Sequence, residues 1–311
     1  MEAIREDEIV VPNADPVNLA GWVARLSESG MPVFAHTAHD IARVSGRRES
    51  SAAELARVVL QDAAMTARLL KLATSPIFNP VGRAISTVSR AVVVLGFEEV
   101  RSICLSIAVV ESMLKGKQKQ RVIEEMALSF HAAVQARSLA KKRGDKSPEE
   151  VFIATLLYRL GDMAFWAFAG ESAEQMDTAL LQNPTEPPEK LQKQLLGFQF
   201  RDLTLGLSRE WKLGELLEES LQGKSADNPR AGNVTLGQEM AQAANCGWES
   251  RQVKVLIKRI AESLYLPERE VVRMVKESAQ EAADTAACYG ADSASRRIPV
   301  PGDRQSRQDD D

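Results

Sequence analysis

The sequence of 311 residues predicts an all-α fold, and three observations support this prediction. Leu, Ala, Glu, Lys and Arg favour helices and dominate the chain, whereas the β-branched alternation typical of strands is rare. Helix start signals recur, as in Ser147-Pro148-Glu149-Glu150, where a cap and an N1 proline precede carboxylates that suit the positive helix end. Apolar residues also recur at helical spacing, for example Met65, Leu69 and Leu72.

Start and stop signals define the helices in chain order. Asp15-Pro16 predicts the N-cap and first residue of the first helix, and Gly30 predicts its end. Ser51 and Glu54 form a capping box for the next helix, and Asp62 caps the one after it. Later breaks are predicted at these positions: Asn79-Pro80, Gly96, Gly116, Gly144, Asn183–Lys190, Cys246-Gly247 and Leu266-Pro267.

These breaks divide the chain into consecutive segments. Residues 1–16 form an N-terminal segment, residues 17–115 a first helical lobe and residues 120–225 a second lobe. Residues 226–286 form a C-terminal helical extension of three helices. The tail, residues 287–311, is polar and poor in large apolar residues, so we expect it to be disordered.

Composition excludes several functional classes. The net charge of −4 does not suit a general nucleic-acid binder, and the one segment resembling a helix-turn-helix has mixed charges, so we expect no DNA binding. Three widely spaced cysteines, Cys104, Cys246 and Cys288, fit a reducing compartment rather than a disulfide framework. The acidic N-terminus has no apolar signal-peptide core. We therefore expect a cytoplasmic location.

Two apolar stretches have to be distinguished from membrane spans. They are Val88–Val110 and Phe152–Gly170, and both are interrupted by charged residues, among them Arg101, Arg159 and Asp162. Ionised groups at mid-bilayer depth are costly. We therefore predict two buried helices and no membrane insertion. Arg159 near the middle of such a helix nevertheless needs an explanation.

Three segments carry a family resemblance. The segment QDAAMTARLLKLATS, residues 61–75, and the segment ISTVSRAVVVLGFEEVR, residues 85–101, together with MPVFAHTAHDIARVSG, residues 31–46, resemble the HDOD domain. The resemblance extends from about Gly21 to Leu221 and implies an HDOD domain over residues 17–225, with an HD-like second lobe. That family is related to HD-type metal-dependent phosphohydrolases. It implies a role in bacterial signalling, usually without hydrolase activity.

The resemblance also implies a degenerate metal site. His131 matches the first metal ligand of the related enzymes, whereas their His-Asp pair falls on Tyr158-Arg159 and a later histidine on Phe200. A following His-His pair falls on Gly223-Lys224. A phenol is a poor metal ligand, and a guanidinium about 4 Å from a dication would cost about 8 kcal/mol at an effective dielectric of about 20. We therefore expect no enzyme activity and no cofactor.

The same residues have alternative interpretations. His131 alone is most simply a hydrogen-bonded, part-buried residue, and Arg159 can pair with Asp162 on one helix face. Alternatively, Arg159 with Tyr158 and His131 lines the old cleft and binds an anion such as a nucleotide phosphate. A second histidine group, His36-x-x-His39-Asp40, is a weak metal candidate.

The sequence thus predicts a non-catalytic signal-transduction protein that binds protein partners. The predicted degenerate cleft, with a nucleotide or anion as a second ligand class, consists of these residues: His131, Tyr158, Arg159, Asp162 and Phe200. Two alternatives remain open. One is an HD-type phosphohydrolase or phosphodiesterase with an unusual metal set, in which His36, His39 and Asp40 join His131. The other is a cyclic dinucleotide sensor.

Overall fold

The computed structural model describes residues 18–30, 52–60, 63–83, 85–113 and 119–302, and every regular element in them is helical. The all-α prediction is therefore confirmed. The helices of the first half are α1 Leu19–Arg25, α2 Ala52–Val59, α3 Ala63–Ala73, α4 Val88–Leu95 and α5 Phe97–Met113. A π-helical turn, Leu26–Gly30, follows α1.

The second half contains longer and more deeply buried helices. They are α6 Lys119–Lys142, α7 Pro148–Leu156, α8 Leu160–Phe168, α9 Glu171–Gln182, α10 Pro188–Leu196, α11 Phe200–Trp211 and α12 Glu215–Leu221. A 3-10 turn, Leu157–Arg159, joins α7 to α8. The remaining helices are α13 Pro229–Asn245, α14 Arg251–Leu264, α15 Glu268–Cys288 and the short α16 Asp292–Ser295. The three helices and two breaks predicted after residue 226 are confirmed.

Helix α1 differs from the prediction in its packing. It begins at Leu19, with Asn18 as its N-cap, whereas the predicted start at Asp15-Pro16 lies outside the described residues. It packs against α11 of the second half, and the indole of Trp22 also lies 5.5 Å from the ring of Phe165 in α8. Helix α1 therefore belongs to the first lobe by sequence position, but its apolar face packs against the second lobe. The predicted caps Ser51 and Asp62 lie outside the described residues.

Helix α6 is the centre of the second half. It packs against α7, α8, α13 and α15, and Phe130, Ala133 and Val134 in its middle are completely buried. Helix α13 crosses α6 so closely that a Cβ on Gly237 would lie 2.5 Å from the carbonyl oxygen of Ala132. Only glycine permits this backbone approach, which is why α13 lies directly on α6.

The C-terminal helices complete this core rather than form a separate unit. Leu139 of α6 joins a second apolar cluster with Met240, Val253, Ile260 and Val271, contributed by α13, α14 and α15. A larger cluster of buried apolar residues extends from Trp22 in α1 to Ile298 and includes both halves. A sequence boundary at residue 226 is therefore crossed by extensive packing.

The disorder predicted for residues 287–311 is not seen in residues 287–302. Tyr289 stacks on Phe130 with ring centroids 5.7 Å apart, and Ile298 is 4% exposed. The indole nitrogen of Trp248 donates a hydrogen bond to the carbonyl oxygen of Pro299 at 3.0 Å. The prediction was wrong for these residues because it used average composition, whereas a few well-spaced apolar side chains are enough to bind the segment to the core.

The apolar stretch of α7 and α8 is a core element. Pro148–Phe168 is the one stretch of the described residues long and apolar enough to span a bilayer, and 78% of its most apolar window is buried inside the protein. Its apolar surface is thus covered by protein, as predicted for a buried helix. The other stretch, in α4 and α5, is also largely buried, and Ile103 and Val109 in it are completely buried.

The contact at Gly237 can be tested by substitution. We expect Gly237→Ala to destabilise the fold by about 1–3 kcal/mol, because the added methyl group meets backbone that cannot move independently. Gly232→Ala in the same helix is the control, since its Cβ would lie 3.3 Å from the nearest atom. It should stay within about 1 kcal/mol of wild type because alanine also favours helix. Urea unfolding measures both, and equal stabilities would contradict the close crossing.

Candidate functional site

The helical stretch around Arg159 is interrupted where the sequence changes from apolar to polar. The backbone tightens into the 3-10 turn at Leu157–Arg159, and Arg159 has φ −102° and ψ 23°, outside the α-helical region. This turn places Arg159 and the partly exposed Tyr158 at a bend between two buried helices. The residues that match the His-Asp pair of the related enzymes are thus held by a rigid element.

Arg159 is engaged by two carboxylates. Its Nε donates a short hydrogen bond to Glu125 of α6, and its Nη2 lies 3.1 Å from Oδ1 of Asp162. The three side chains are only 17%, 14% and 15% exposed, in the order Arg159, Glu125 and Asp162. The predicted pair of Arg159 with Asp162 is therefore confirmed. Glu125 was not predicted as a partner, because it is 34 residues away and no local spacing connects it to Arg159.

The electrostatics of this ion triad favour a closed structural unit. Burial raises the pKa of Asp162, and the nearby Glu125 raises it further, against the opposing effect of Arg159. The two carboxylates raise the pKa of the Arg159 guanidinium, which stays charged. The triad, Glu125, Arg159 and Asp162, thus carries no excess positive charge.

Tyr158 lies beside a second arginine. Burial raises the pKa of the Tyr158 phenol, and Arg201 at the start of α11 opposes that effect. The guanidinium of Arg201 is also the atom group nearest to Gly223, at 3.9 Å from where a Cβ would stand. Tyr158, Arg201 and Gly223 therefore lie in one neighbourhood, although Arg201 was not among the predicted site residues.

Phe200 belongs to an aromatic core. It is 3% exposed, and its ring centroid lies 4.6 Å from that of Phe165 and 5.9 Å from that of Trp166. Its backbone N–H donates to the side chain of Gln192 at 2.9 Å. The structure therefore gives Phe200 a packing role where the resemblance placed a metal ligand.

His131 points away from the triad. It follows Glu125 by six residues in α6, so the two side chains leave the helix about 120° apart. Its Nε2 lies 3.0 Å from Nε2 of Gln135, which donates to the carbonyl oxygen of Val275 in α15. Its ring lies 6.1 Å from Trp248. The structure thus separates His131 from Arg159, although it matches the expectation of a hydrogen-bonded histidine.

These residues do not fit a metal. A guanidinium paired with two carboxylates occupies the position of the His-Asp pair, and a phenylalanine in an aromatic core occupies the later histidine position. Within the described ranges, no group of three or more His, Cys, Asp or Glu side chains could hold a metal ion. The weak candidates His36, His39 and Asp40 lie outside the described residues.

The ion triad predicts a large effect of removing its cation. Arg159→Met would leave two carboxylates buried without a counter-ion, so we expect a loss of about 3–5 kcal/mol of unfolding free energy. The control is Lys190→Met, which breaks the exposed pair between Lys190 and Glu186 and should cost no more than about 1 kcal/mol. Similar losses in denaturant titrations of the two variants would show that the triad is not a buried unit.

His131 predicts an acid-dependent loss of stability. Burial lowers the pKa of His131 to about 4, from an ordinary value of 6.5. In this pH range the unfolded chain binds a proton at His131 that the folded chain does not, so the unfolding free energy falls by roughly 3 kcal/mol as pH falls from about 6.5 to 4. Unfolding free energies of wild type and His131→Asn should diverge in that pH range only. Parallel pH profiles would contradict the assignment.

Comparison with known proteins shows which family and which solved structures this chain is similar to. A family model described as HDOD domain matches residues 31–226. No curated protein matches significantly. An HDOD domain protein of unknown function from Geobacter sulfurreducens is 22% identical, with a TM-score of 0.62, over 90% of this chain and 98% of the other.

Two further solved structures are similar. One, from Shewanella amazonensis SB2B, is named as a candidate phosphohydrolase. It is 19% identical to this chain, with a TM-score of 0.64, and the match covers 89% of this chain and 97% of the Shewanella chain. The other, from Marinobacter aquaeolei VT8, is named as a candidate signal transduction protein. It is 20% identical to this chain, with a TM-score of 0.64, and the match covers 88% of this chain and 65% of the Marinobacter chain. At these identities the likeness concerns the fold alone. The family model matches more than half of the residues of this chain, so the chain belongs to the HDOD domain family.

Proposed function

We propose that this chain is a non-catalytic signal-transduction protein that acts by binding a protein partner. The observation that carries the proposal is the ion triad at the position of the His-Asp pair. Glu125 and Asp162 pair with Arg159, which the resemblance aligns with the aspartate of the His-Asp pair that binds the metal in the related hydrolases. A guanidinium has no lone pair to donate to a metal and it already engages the two nearby carboxylates, whereas a phosphohydrolase of this type needs the metal to acidify its water.

Family membership supports the signalling part of the proposal. One similar structure is named by inference as a signal transduction protein, and another as a phosphohydrolase, so relatives of this fold are assigned to both classes. The chemistry at Arg159 favours the first class for this chain. His131, the remaining position of the ligand set, points to Gln135 and Trp248 and cannot complete a site with Arg159.

The same geometry weighs against a phosphate sensor at Arg159. Two carboxylates already neutralise the guanidinium, so a phosphate bound there would meet their negative charge. Anion recognition by arginine needs free donors and a positive local charge. We therefore place partner binding ahead of nucleotide binding in the proposed function.

A metal-dependent hydrolase assay tests the proposal. The purified chain would be incubated with Mg²⁺, Mn²⁺, Fe²⁺ or Zn²⁺ and with phosphomonoester, phosphodiester and cyclic dinucleotide substrates. We expect no turnover that depends on both the metal and His131, with His131→Asn as the matched variant. Metal-dependent turnover abolished by His131→Asn, with normal folding, would overturn the proposal. It would favour the unusual metal set that includes His36, His39 and Asp40.

Nucleotide binding is tested separately by thermal shift. A ligand that binds the folded state raises the melting temperature according to its concentration relative to its Kd. We expect cyclic dinucleotides to leave the melting temperature unchanged. A concentration-dependent rise that is lost in Arg159→Met, but kept in Lys190→Met, would instead establish the sensor.

A further inference from the structure

An open groove lies between two of the C-terminal helices, outside the residues matched by the family. Helices α13 and α14 enclose about 620 Å³ there. The apolar part of the lining includes Ala243, Val255 and Leu256, and Val255 is 58% exposed. A volume of this size is within the range of sites that take several ligand side chains. The groove is thus an apolar surface that the described part of the chain does not cover.

The groove has basic edges. Arg251 and Arg259 line it, and Glu239 is the acidic lining residue, already paired with Arg259. Lys258 is exposed on the same helix, α14. Among the described residues, neither Arg251 nor Lys258 has an ion-pair partner. This local excess of positive charge stands on a chain whose net charge is −4.

We propose that the α13–α14 groove binds an acidic, amphipathic helical segment of a partner protein. This inference rests on the proposed function, in which the chain acts through a protein partner, and names where and by what chemistry it binds. Apolar side chains of the segment enter the groove over Val255 and Leu256. Its carboxylates meet the unpaired cations Arg251 and Lys258, which steer the approach and fix the orientation.

Two other occupants fit the surface less well. A nucleic acid would present phosphates to a groove with few unpaired cations, and its bases would find no aromatic ring among the lining residues on which to stack. A second copy of this chain, packed by two-fold symmetry, would place Arg251 and Lys258 of both copies at one interface. Like charges there repel. Charge complementarity therefore favours an acidic partner segment.

A synthetic peptide pair tests the chemistry of the groove. One peptide is an amphipathic helix with Leu on one face and Glu elsewhere; the other has Lys in place of each Glu. Fluorescence anisotropy would measure the binding of each to the full chain. We expect the Glu peptide to bind about tenfold tighter or more, and its affinity to fall with added salt. Equal binding of the two peptides, or no binding of the Glu peptide, would overturn the inference.

Matched variants locate the binding. Val255→Glu and Arg251→Glu should each weaken the Glu peptide about tenfold, because they remove apolar contact and attraction respectively. The controls are Val93→Glu on α4, where the valine is 68% exposed, and Lys193→Glu on α10, which is also exposed. Both should bind as wild type does. If the control variants weakened binding of the Glu peptide as much as the groove variants did, the proposed binding site would be wrong.

Crosslinking in the native cell tests the class of partner. A photo-reactive amino acid would replace Gln252, which is exposed and lines the groove. A crosslinked protein whose attached peptide is acidic and amphipathic, and whose yield falls in Arg251→Glu, would support the inference. A nucleic acid, a second copy of this chain, a basic peptide or no product would overturn it. The hydrolase assay is independent of these binding tests. If no partner binds the groove, the proposal that the chain is non-catalytic is therefore unaffected.

Discussion

The burial of α6 is the constraint on which the rest of this structure depends. A helix of 24 residues that is covered on nearly every side carries polar side chains inward, and a buried polar group is costly unless it is hydrogen-bonded. Gln135 bonds to His131 and to a carbonyl of α15, and Arg137 lies over the ring of Phe152 and pairs with Glu281. The C-terminal helices are therefore needed by the family-matched part of the chain, and a contact as close as that of Gly237 lets them reach it.

The same helix supplies Glu125, which explains an arginine within an apolar stretch. Arg159 stands at a bend between α7 and α8 and satisfies two carboxylates from different parts of the chain. Buried ion groups of this kind add little net stability compared with apolar packing, but they are costly to break, so they restrict how helices can be arranged. The position that would carry metal chemistry in related enzymes thus carries a structural constraint here.

The two regions of the molecule have different physical properties. Around Arg159 the charges are paired and partly buried, and the neighbouring Phe200 is packed among aromatic rings. Between α13 and α14 the apolar surface is open and two cations are unpaired among the described residues. An open surface with unsatisfied charge is better suited to recognition than a closed one. That contrast is why the proposed partner site lies in the C-terminal helices.

The sequence by itself determined the helical class, the family and the helices after residue 226, because capping residues, glycine and proline act locally. It also placed Arg159 beside Asp162, since three residues along a helix bring side chains together. Only the tertiary structure decided that Glu125 completes the triad, that His131 faces α15, that α1 packs on α11 and that residues 287–302 join the core. Each of these depends on which helix faces meet across long sequence separations. Spacing along one helix cannot specify that pairing, because it arises from the burial of the whole chain.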